Sequence, residues 1–209
     1  MKKFSIIIIC IFCLASCRNT INEFAVDRTI ECKESQIEPD IPKFVKDVTF
    51  LPLETNANTL LGSVDKVEFY DGTVYIADYS TRKVVAYDMT GKLRFVLDRQ
   101  GRGPGEYLEI KSFSVDSDNL YILDNFGRKL FVYDSLTGEY KTTKEMPIVA
   151  WDLEALSNGN LIFAFVTAGG KPSREQPPYR LFVTDNDLNI KEQMLEYSKN
   201  GDSDVLGYS

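Results

Sequence analysis

The feature of this sequence that most constrains its fold is a repeat in the middle of the chain. The run VYIAD at residues 74–78 recurs as LYILD at 120–124, and VAYD at 85–88 recurs as FVYD at 131–134. Both pairs are separated by 46 residues. Because two independent motifs share one offset, we infer that a structural unit is duplicated.

Each copy consists of four short apolar runs separated by turn residues, and a looser third copy ends with LFVTD at 181–185. The Asp71-Gly72 pair lies between two such runs and is a strong hairpin signal. Four antiparallel strands that recur about every 40–50 residues are typical of a β-propeller blade. The sequence therefore predicts an all-β fold, a β-propeller with about three four-stranded blades near residues 64–98, 110–144 and 148–197.

A connector between the first two copies strengthens this prediction. It reads GRGPGEY at residues 101–107 and resembles the connector of NHL-type repeats, whose blades also carry V-Y-(V/I)-A-D and Y/F-D strands. With this connector, the lead-in FLPLET at 50–55 and the motif LASC at 14–17, the chain resembles the six-bladed β-propeller lipoproteins of Bacteroides-type bacteria. The resemblance covers roughly residues 44–197 and implies that the predicted blades are part of a six-bladed ring.

The same glycine-rich stretch could be read as a phosphate-binding loop. Such a loop needs consecutive free backbone N–H groups with a helix behind them. Pro104 removes one N–H, and the following run at 111–116 alternates like a strand. We therefore interpret the glycines as the corner that turns one blade into the next.

The N-terminus predicts export and lipidation. Two lysines precede an apolar run at residues 4–14, which is too short to span a bilayer and is typical of a signal peptide. The run ends in LASC, which resembles the lipobox of bacterial lipoproteins and implies lipid on Cys17. We predict a signal peptide at 1–16, the lipidated Cys17 and a tether at 17–43, and a partial propeller at 44–209. The expected location is the cell envelope, at the outer membrane facing the periplasm or exposed at the surface.

Three blades do not close a propeller, since rings have four or more. We therefore expect an N-terminal half of a longer propeller, or two copies that pair into one ring. A three-blade chain by itself leaves open blade edges that favour self-association.

Composition excludes several kinds of chemistry. The chain has no histidine, which rules out a histidine-based triad or histidine-ligated zinc within it. The net charge of −7 argues against a nucleic-acid partner. Calcium is compatible with the composition, but Asp116-Ser-Asp118 lacks the remaining features of an EF-hand loop. We predict no metal and no cofactor.

Candidate site residues cluster where the connectors and the loops between second and third strands share one face. Asp78 and Asp124 are related by the repeat, and we expect both to cap their loops by accepting backbone N–H bonds. The predicted ligand-binding residues do not recur between the copies. They are Arg99, Arg102, Glu106 and Tyr107, with Tyr107 as a stacking surface. We predict no catalytic residue.

Two functions follow from these observations. The first is a membrane-anchored binding or scaffold module without enzyme activity, whose glycan, peptide or protein ligand lies at the loop face. The alternative is a metal-dependent lyase or hydrolase centred on the channel, completed by blades outside this chain. The sequence leaves ligand identity open.

Overall fold

The computed structural model describes residues 45, 47–165 and 179–196. The chain divides into two compact units, residues 1–48 and 49–209. The described residues of the first unit are exposed and lie in no strand or helix. All elements described below belong to the second unit. Cys17, the signal peptide and most of the tether lie outside the described residues.

The described part of the second unit is built from twelve strands and contains no helix. They form three four-stranded sheets, each a simple antiparallel meander in chain order. The strands are β1 Lys66–Tyr70, β2 Thr73–Asp78, β3 Lys83–Asp88, β4 Leu93–Leu97, β5 Ser112–Val115, β6 Asn119–Asp124, β7 Lys129–Asp134, β8 Tyr140–Glu145, β9 Asp152–Ala155, β10 Leu161–Ala164, β11 Tyr179–Thr184 and β12 Ile190–Glu196. These three sheets (blades 1, 2 and 3) confirm the predicted all-β propeller fold.

Side chains along the middle strands point alternately to the two faces of the sheet, and both faces are buried. This explains why the middle strands are apolar throughout. In β2, Tyr75 and Ala77 pack between blades 1 and 2, whereas Val74 and Ile76 pack on the opposite face of blade 1. In β6, Tyr121 faces blade 3 in the same way. Burying one large apolar side chain contributes about 1.5–3 kcal/mol, so two-sided burial makes these strands the main source of stability.

The segment before β1 covers the face of blade 1 that points away from blade 2. Leu51, Leu53 and Leu61 pack against the apolar residues of that face. The Glu54 N–H donates to the carbonyl of Gly91 over 2.8 Å. Residues 49–53 of this segment lie in no strand. Its backbone is instead held against the turn between β3 and β4.

Gly91 is where this segment requires a glycine. Its φ is +81°, and a Cβ there would lie 2.0 Å from the carbonyl oxygen of Pro52. We expect Gly91→Ala to lower the free energy of unfolding by about 2 kcal/mol, because backbone strain adds to displacement of the segment. Urea denaturation measures this loss.

Gly72→Ala is the matched control for this prediction. Gly72 has a φ of +68°, but a Cβ there would meet only the Met89 side chain, at 4.0 Å. We expect a loss of about 1 kcal/mol from backbone strain alone. Equal losses in the two variants would show that contact between Pro52 and Gly91 contributes nothing.

Candidate functional site

The predicted loop face is formed by the loops between second and third strands and by the connector at residues 98–111. The amide of Gln100 in this connector donates to the carbonyl of Thr81 in the β2–β3 loop over 2.9 Å. Arg82 Nη1 lies 3.5 Å from Gln100 Oε1. The loop and the connector are therefore joined directly at one end of blade 1.

Asp78 is buried at the centre of this region. Its carboxylate accepts hydrogen bonds from the backbone N–H groups of Gly62 and Thr81, and from the hydroxyls of Ser63, Ser80 and Thr81. Burial alone would raise the pKa of Asp78, but these hydrogen bonds outweigh burial and hold the pKa well below its ordinary value. The side chain thereby ties the β2–β3 loop to the segment that precedes β1.

Asp124 has the equivalent position in blade 2. It accepts hydrogen bonds from the N–H groups of Leu108 and Gly127, both over 2.8 Å. Arg82 and Arg128 occupy left-handed backbone conformations, with φ of 56° and 51°, at equivalent positions of the two loops. Because the same geometry recurs in both blades, these loops are features of the blade itself rather than of one ligand site.

The glycine corner is organised around Glu106. Its Oε2 accepts the N–H of Gly103 over 2.8 Å, and a Cβ on Gly101 would lie 1.9 Å from the same oxygen. Gly101 therefore leaves room for the carboxylate. Glu106 thus has an observed contact inside the corner, while its predicted contact with a ligand remains a prediction.

Tyr107 is not a stacking surface, and this part of the prediction is wrong. Its side chain is completely buried, with edge-to-face contacts to Phe131 and Tyr133. Its hydroxyl lies within hydrogen-bonding distance of the carbonyls of Arg82 and Leu97, at 2.9 and 3.1 Å. Burial raises the pKa of Tyr107 above its ordinary value. The ring packs between blades 1 and 2, because the connector turns inward after its last glycine.

Arg99 and Arg102 are exposed, as a ligand-binding role would require. Neither side chain forms an ion pair with another residue in the described part of the chain. Their role in binding remains a prediction.

A second set of polar side chains lies on the first strand of each blade. Strands β1, β5 and β9 are neighbours, although they belong to different sheets. Two positions on each strand carry polar side chains. The first is Lys, Ser or Asp in blades 1, 2 and 3, and the second is Glu in blades 1 and 3 and Ser in blade 2. We call this group the inner-strand cluster: Lys66, Glu68, Ser112, Ser114, Asp152 and Glu154.

Lys66 connects all three blades within this cluster. Its Nζ lies 3.0 Å from Oε1 of Glu68 in its own strand and donates to the carbonyl of Phe113 over 2.8 Å. It also donates to the carbonyl of Leu153 over 3.2 Å and lies 3.4 Å from Oε2 of Glu154. One ammonium thus holds three inner strands together.

The charges in the cluster shift the pKa values of two of its members. Burial alone would lower the pKa of Lys66, but the carboxylates of Glu68, Asp152 and Glu154 outweigh burial and raise it above its ordinary value. Burial raises the pKa of Glu68, although the ammonium of Lys66 opposes that shift. Oε2 of Glu68 also accepts the N–H of Val115 over 2.9 Å. Glu68 is therefore committed to contacts within the protein.

A cavity of about 500 Å³ lies where β1, β5 and β9 end. This hairpin-end cavity is at the opposite end of the strands from the loop face. Its wall includes Glu68 and Glu154 of the cluster, together with Phe69, Tyr70 and Asp116. Phe69 is 69% exposed and Tyr70 is 39% exposed. The cavity therefore combines aromatic surface with carboxylates.

Sequence reasoning missed the inner-strand cluster, although a signal was present. Lys66 and Ser112 are 46 residues apart, and so are Glu68 and Ser114. Aligning the repeats and asking where equivalent residues differ in chemistry would have identified both positions.

Two further findings concern metals and membranes. In residues 45, 47–165 and 179–196, no group of three or more carboxylates and cysteines is arranged to hold a metal ion. The same residues include no helix of the length and hydropathy needed to cross a membrane.

Known proteins that are similar to this chain share its β-propeller fold. A family model for DUF5128, described as a 6-bladed beta-propeller, matches residues 18–206. No curated protein matches the chain. A solved Bacteroides fragilis protein described as exported has 21% identity and a TM-score of 0.63, with 73% of this chain and 43% of that chain covered. A DUF4221 family member from Bacteroides vulgatus has 14% identity and a TM-score of 0.46, with 70% and 46% covered. The chain spans less than half of each of these two structures.

Proposed function

Because the chain belongs to the DUF5128 family of six-bladed β-propellers, we propose that it is a binding module of the bacterial cell envelope without enzyme activity. Export is supported by the signal-peptide pattern at residues 1–16 and by similarity in fold to the exported Bacteroides fragilis protein. Lipid on Cys17 would hold the propeller at a membrane. The ligand is a glycan, a peptide or a protein segment.

One observation carries the choice of binding site. Blades 1 and 2 repeat their core residues and their loop-capping aspartates, whereas the first polar position of the inner strand changes from Lys66 to Ser112 to Asp152. Residues needed in every blade maintain the fold, so chemistry particular to one protein is expected where the repeat breaks down. The differing residues lead into the hairpin-end cavity, and its volume of about 500 Å³ suits a small ligand or a short segment of a larger one.

The contacts of the cluster favour binding over catalysis. Lys66 is surrounded by carboxylates and backbone carbonyls, and its pKa is raised. A lysine that acts as a nucleophile needs a lowered pKa. Glu68 accepts bonds from Ser114 and Val115 in addition to its pairing with Lys66. Lys66 and Glu68 therefore maintain the shape and charge of a surface to which a ligand can bind.

Two exposed phenylalanines allow this proposal to be tested. Phe69 lines the hairpin-end cavity, and Phe126 is 78% exposed in the β6–β7 loop on the loop face. We expect a glycan or peptide array to yield a ligand whose affinity falls about tenfold in Phe69→Ala and is unchanged in Phe126→Ala. Neither change should alter stability by more than about 0.5 kcal/mol, because both rings are exposed.

The opposite pattern of binding losses would assign the binding site to the loop face instead of the hairpin-end cavity. A ligand lost on Phe126→Ala, or on the double change Arg99→Ala and Arg102→Ala, and retained in Phe69→Ala would place binding at the loop face. Array signals that are unaffected by any of these changes would contradict a site at either end of the strands.

A further inference from the structure

The aromatic wall of the hairpin-end cavity, together with one uncommitted carboxylate, defines what the cavity can hold. Resting on the function proposed above, the geometry points to a cationic group, an ammonium or guanidinium carried on a flexible chain, as the ligand that enters this cavity. The group would lie against Phe69 and Tyr70 and donate hydrogen bonds to Glu154.

Accounting for hydrogen bonds identifies Glu154 as the available acceptor. Among the carboxylates of the cavity wall, Asp116 accepts bonds from the N–H groups of Asp118 and Asn119 and from the hydroxyl of Tyr121. Glu68 is held by Lys66, Ser114 and Val115, as described above. Each oxygen of Asp116 therefore accepts at least one hydrogen bond, whereas Oε1 of Glu68 is buried beside the ammonium of Lys66 and is not accessible to a ligand.

Glu154 differs from both. Its side chain is 56% exposed, and within the described ranges its ion pair is a 3.4 Å contact from Oε2 to the Nζ of Lys66. Its Oε1 accepts no hydrogen bond from any residue in the described ranges. A ligand can therefore approach this oxygen without displacing an existing contact.

The charge around the cavity selects the sign of the ligand. The described residues of its wall include three carboxylates and no lysine or arginine. Lys66, just behind the wall, is a single positive charge close to Glu68, Asp152 and Glu154. The cavity and its border therefore carry an excess of negative charge. An incoming cation would relieve it, whereas an anion would be repelled.

The aromatic residues add a contact that favours cations with an apolar stem. Phe69 and Tyr70 lie at the end of β1 with large parts of their rings exposed. A cation over an exposed ring gains about 0.5–1 kcal/mol, and the methylene groups of a lysine, arginine or polyamine chain pack against the remaining surface. Charge, spare acceptor and ring thus all suit the same chemical group.

The test compares two peptides that differ in the charge of one side chain, together with a polyamine. We would titrate the ¹⁵N-labelled protein by NMR with a capped Gly-Arg-Gly peptide, with the same peptide containing citrulline, and with spermidine. We expect the arginine peptide to bind at least about tenfold more tightly than the citrulline peptide, since a charge-assisted hydrogen bond is replaced by a neutral one. Shifted resonances should include those of Phe69, Tyr70 and Glu154.

Two variants with the same loss of charge locate the effect. Glu154→Gln removes the exposed carboxylate of the cavity wall, and Glu145→Gln removes an exposed carboxylate on β8, the outermost strand of blade 2. We expect the first to weaken binding of the arginine peptide about fivefold to tenfold and the second to leave it unchanged. If spermidine binds as tightly as the peptide, a polyamine is the natural source of the group; if only the peptide binds, the source is a basic protein segment.

Three results would overturn the inference. These are equal affinity for arginine and citrulline peptides, equal effects of Glu154→Gln and Glu145→Gln, and no saturable shift with any of the probes. The proposed binding function would survive such a result if a neutral ligand from the arrays still depended on Phe69. It would fail separately if no array ligand depended on Phe69.

Discussion

Asp78→Ala is expected to lower the free energy of unfolding by about 3–5 kcal/mol, the largest effect of any single change considered for this protein. The carboxylate has no exposed surface and accepts five hydrogen bonds, two from backbone N–H groups and three from hydroxyls. Alanine would leave the N–H groups of Gly62 and Thr81 without an acceptor. The segment before β1 would also lose its link to the β2–β3 loop.

Two other variants separate the causes of this loss. Asp78→Asn keeps the shape but loses the charge, so we expect an intermediate effect. Asp124→Ala removes the repeat-related residue, which accepts two backbone bonds, and should cost about 2–3 kcal/mol. Chemical denaturation of the three variants measures the order. An Asp124 variant less stable than the Asp78 variant would contradict the argument from the number of bonds.

The contribution of Asp78 should also survive mild acid. Its pKa is held below the ordinary value in the folded protein, so the ionised form is favoured by folding. The stabilisation is therefore complete above the unfolded-state pKa of about 3.9 and declines as pH falls towards the folded-state value. The stability difference between the wild type and Asp78→Asn should be constant from pH 5 to pH 7, values well above that range.

The strands could be predicted because their signals are local and duplicated. In the first copy, the repeated motifs at residues 74–78 and 85–88 lie within the observed strands Thr73–Asp78 and Lys83–Asp88. Turn residues fix the ends of each strand, and burial on both faces makes the middle strands apolar. The repeat then extends the same assignment to the next blade.

The site could be predicted only in part, because it depends on packing between blades. Tyr107 follows a polar, glycine-rich corner, and nothing local indicates that its ring turns into the core between blades 1 and 2. Lys66 and Asp152 are 86 residues apart in the chain, yet their charged atoms lie 3.5 Å apart. Which inner-strand residues meet is decided by how three sheets are arranged, and short sequence windows carry no information on that arrangement.

The inner-strand cluster leads to the second large effect. We expect Lys66→Met to lower the free energy of unfolding by about 2–4 kcal/mol at pH 7, because it leaves a mostly buried carboxylate without its counter-charge. The side chain of Glu68 is 13% exposed, and that of Lys66 is 20% exposed. Methionine fills similar space but cannot donate to the carbonyls of Phe113 and Leu153. Contact among all three blades would be weakened together.

A surface ion pair provides the control for Lys66→Met. Lys141 Nζ lies 3.1 Å from Asp134 Oδ2, with both side chains about one-third exposed. Lys141→Met should cost less than about 1 kcal/mol, since exposed pairs contribute little. An effect of Lys66→Met no larger than this would show that the inner-strand cluster does not hold the blades together.

The pH dependence of Lys66→Met identifies the orphaned carboxylate as the cause. Burial raises the pKa of Glu68, and removal of the Lys66 ammonium takes away the charge that opposes this shift. A carboxyl group whose pKa is raised by folding favours the folded state below its unfolded-state pKa of about 4.3, and this advantage is lost as pH rises through the folded-state value. The loss of stability in Lys66→Met should therefore be smallest near pH 4 and increase towards pH 7.

A double variant provides the control. In Lys66→Met combined with Glu68→Gln, the increase with pH should disappear, because no unpaired carboxylate remains to ionise at that position. A deficit independent of pH in the single variant would assign the loss to the missing bonds to Phe113 and Leu153 instead.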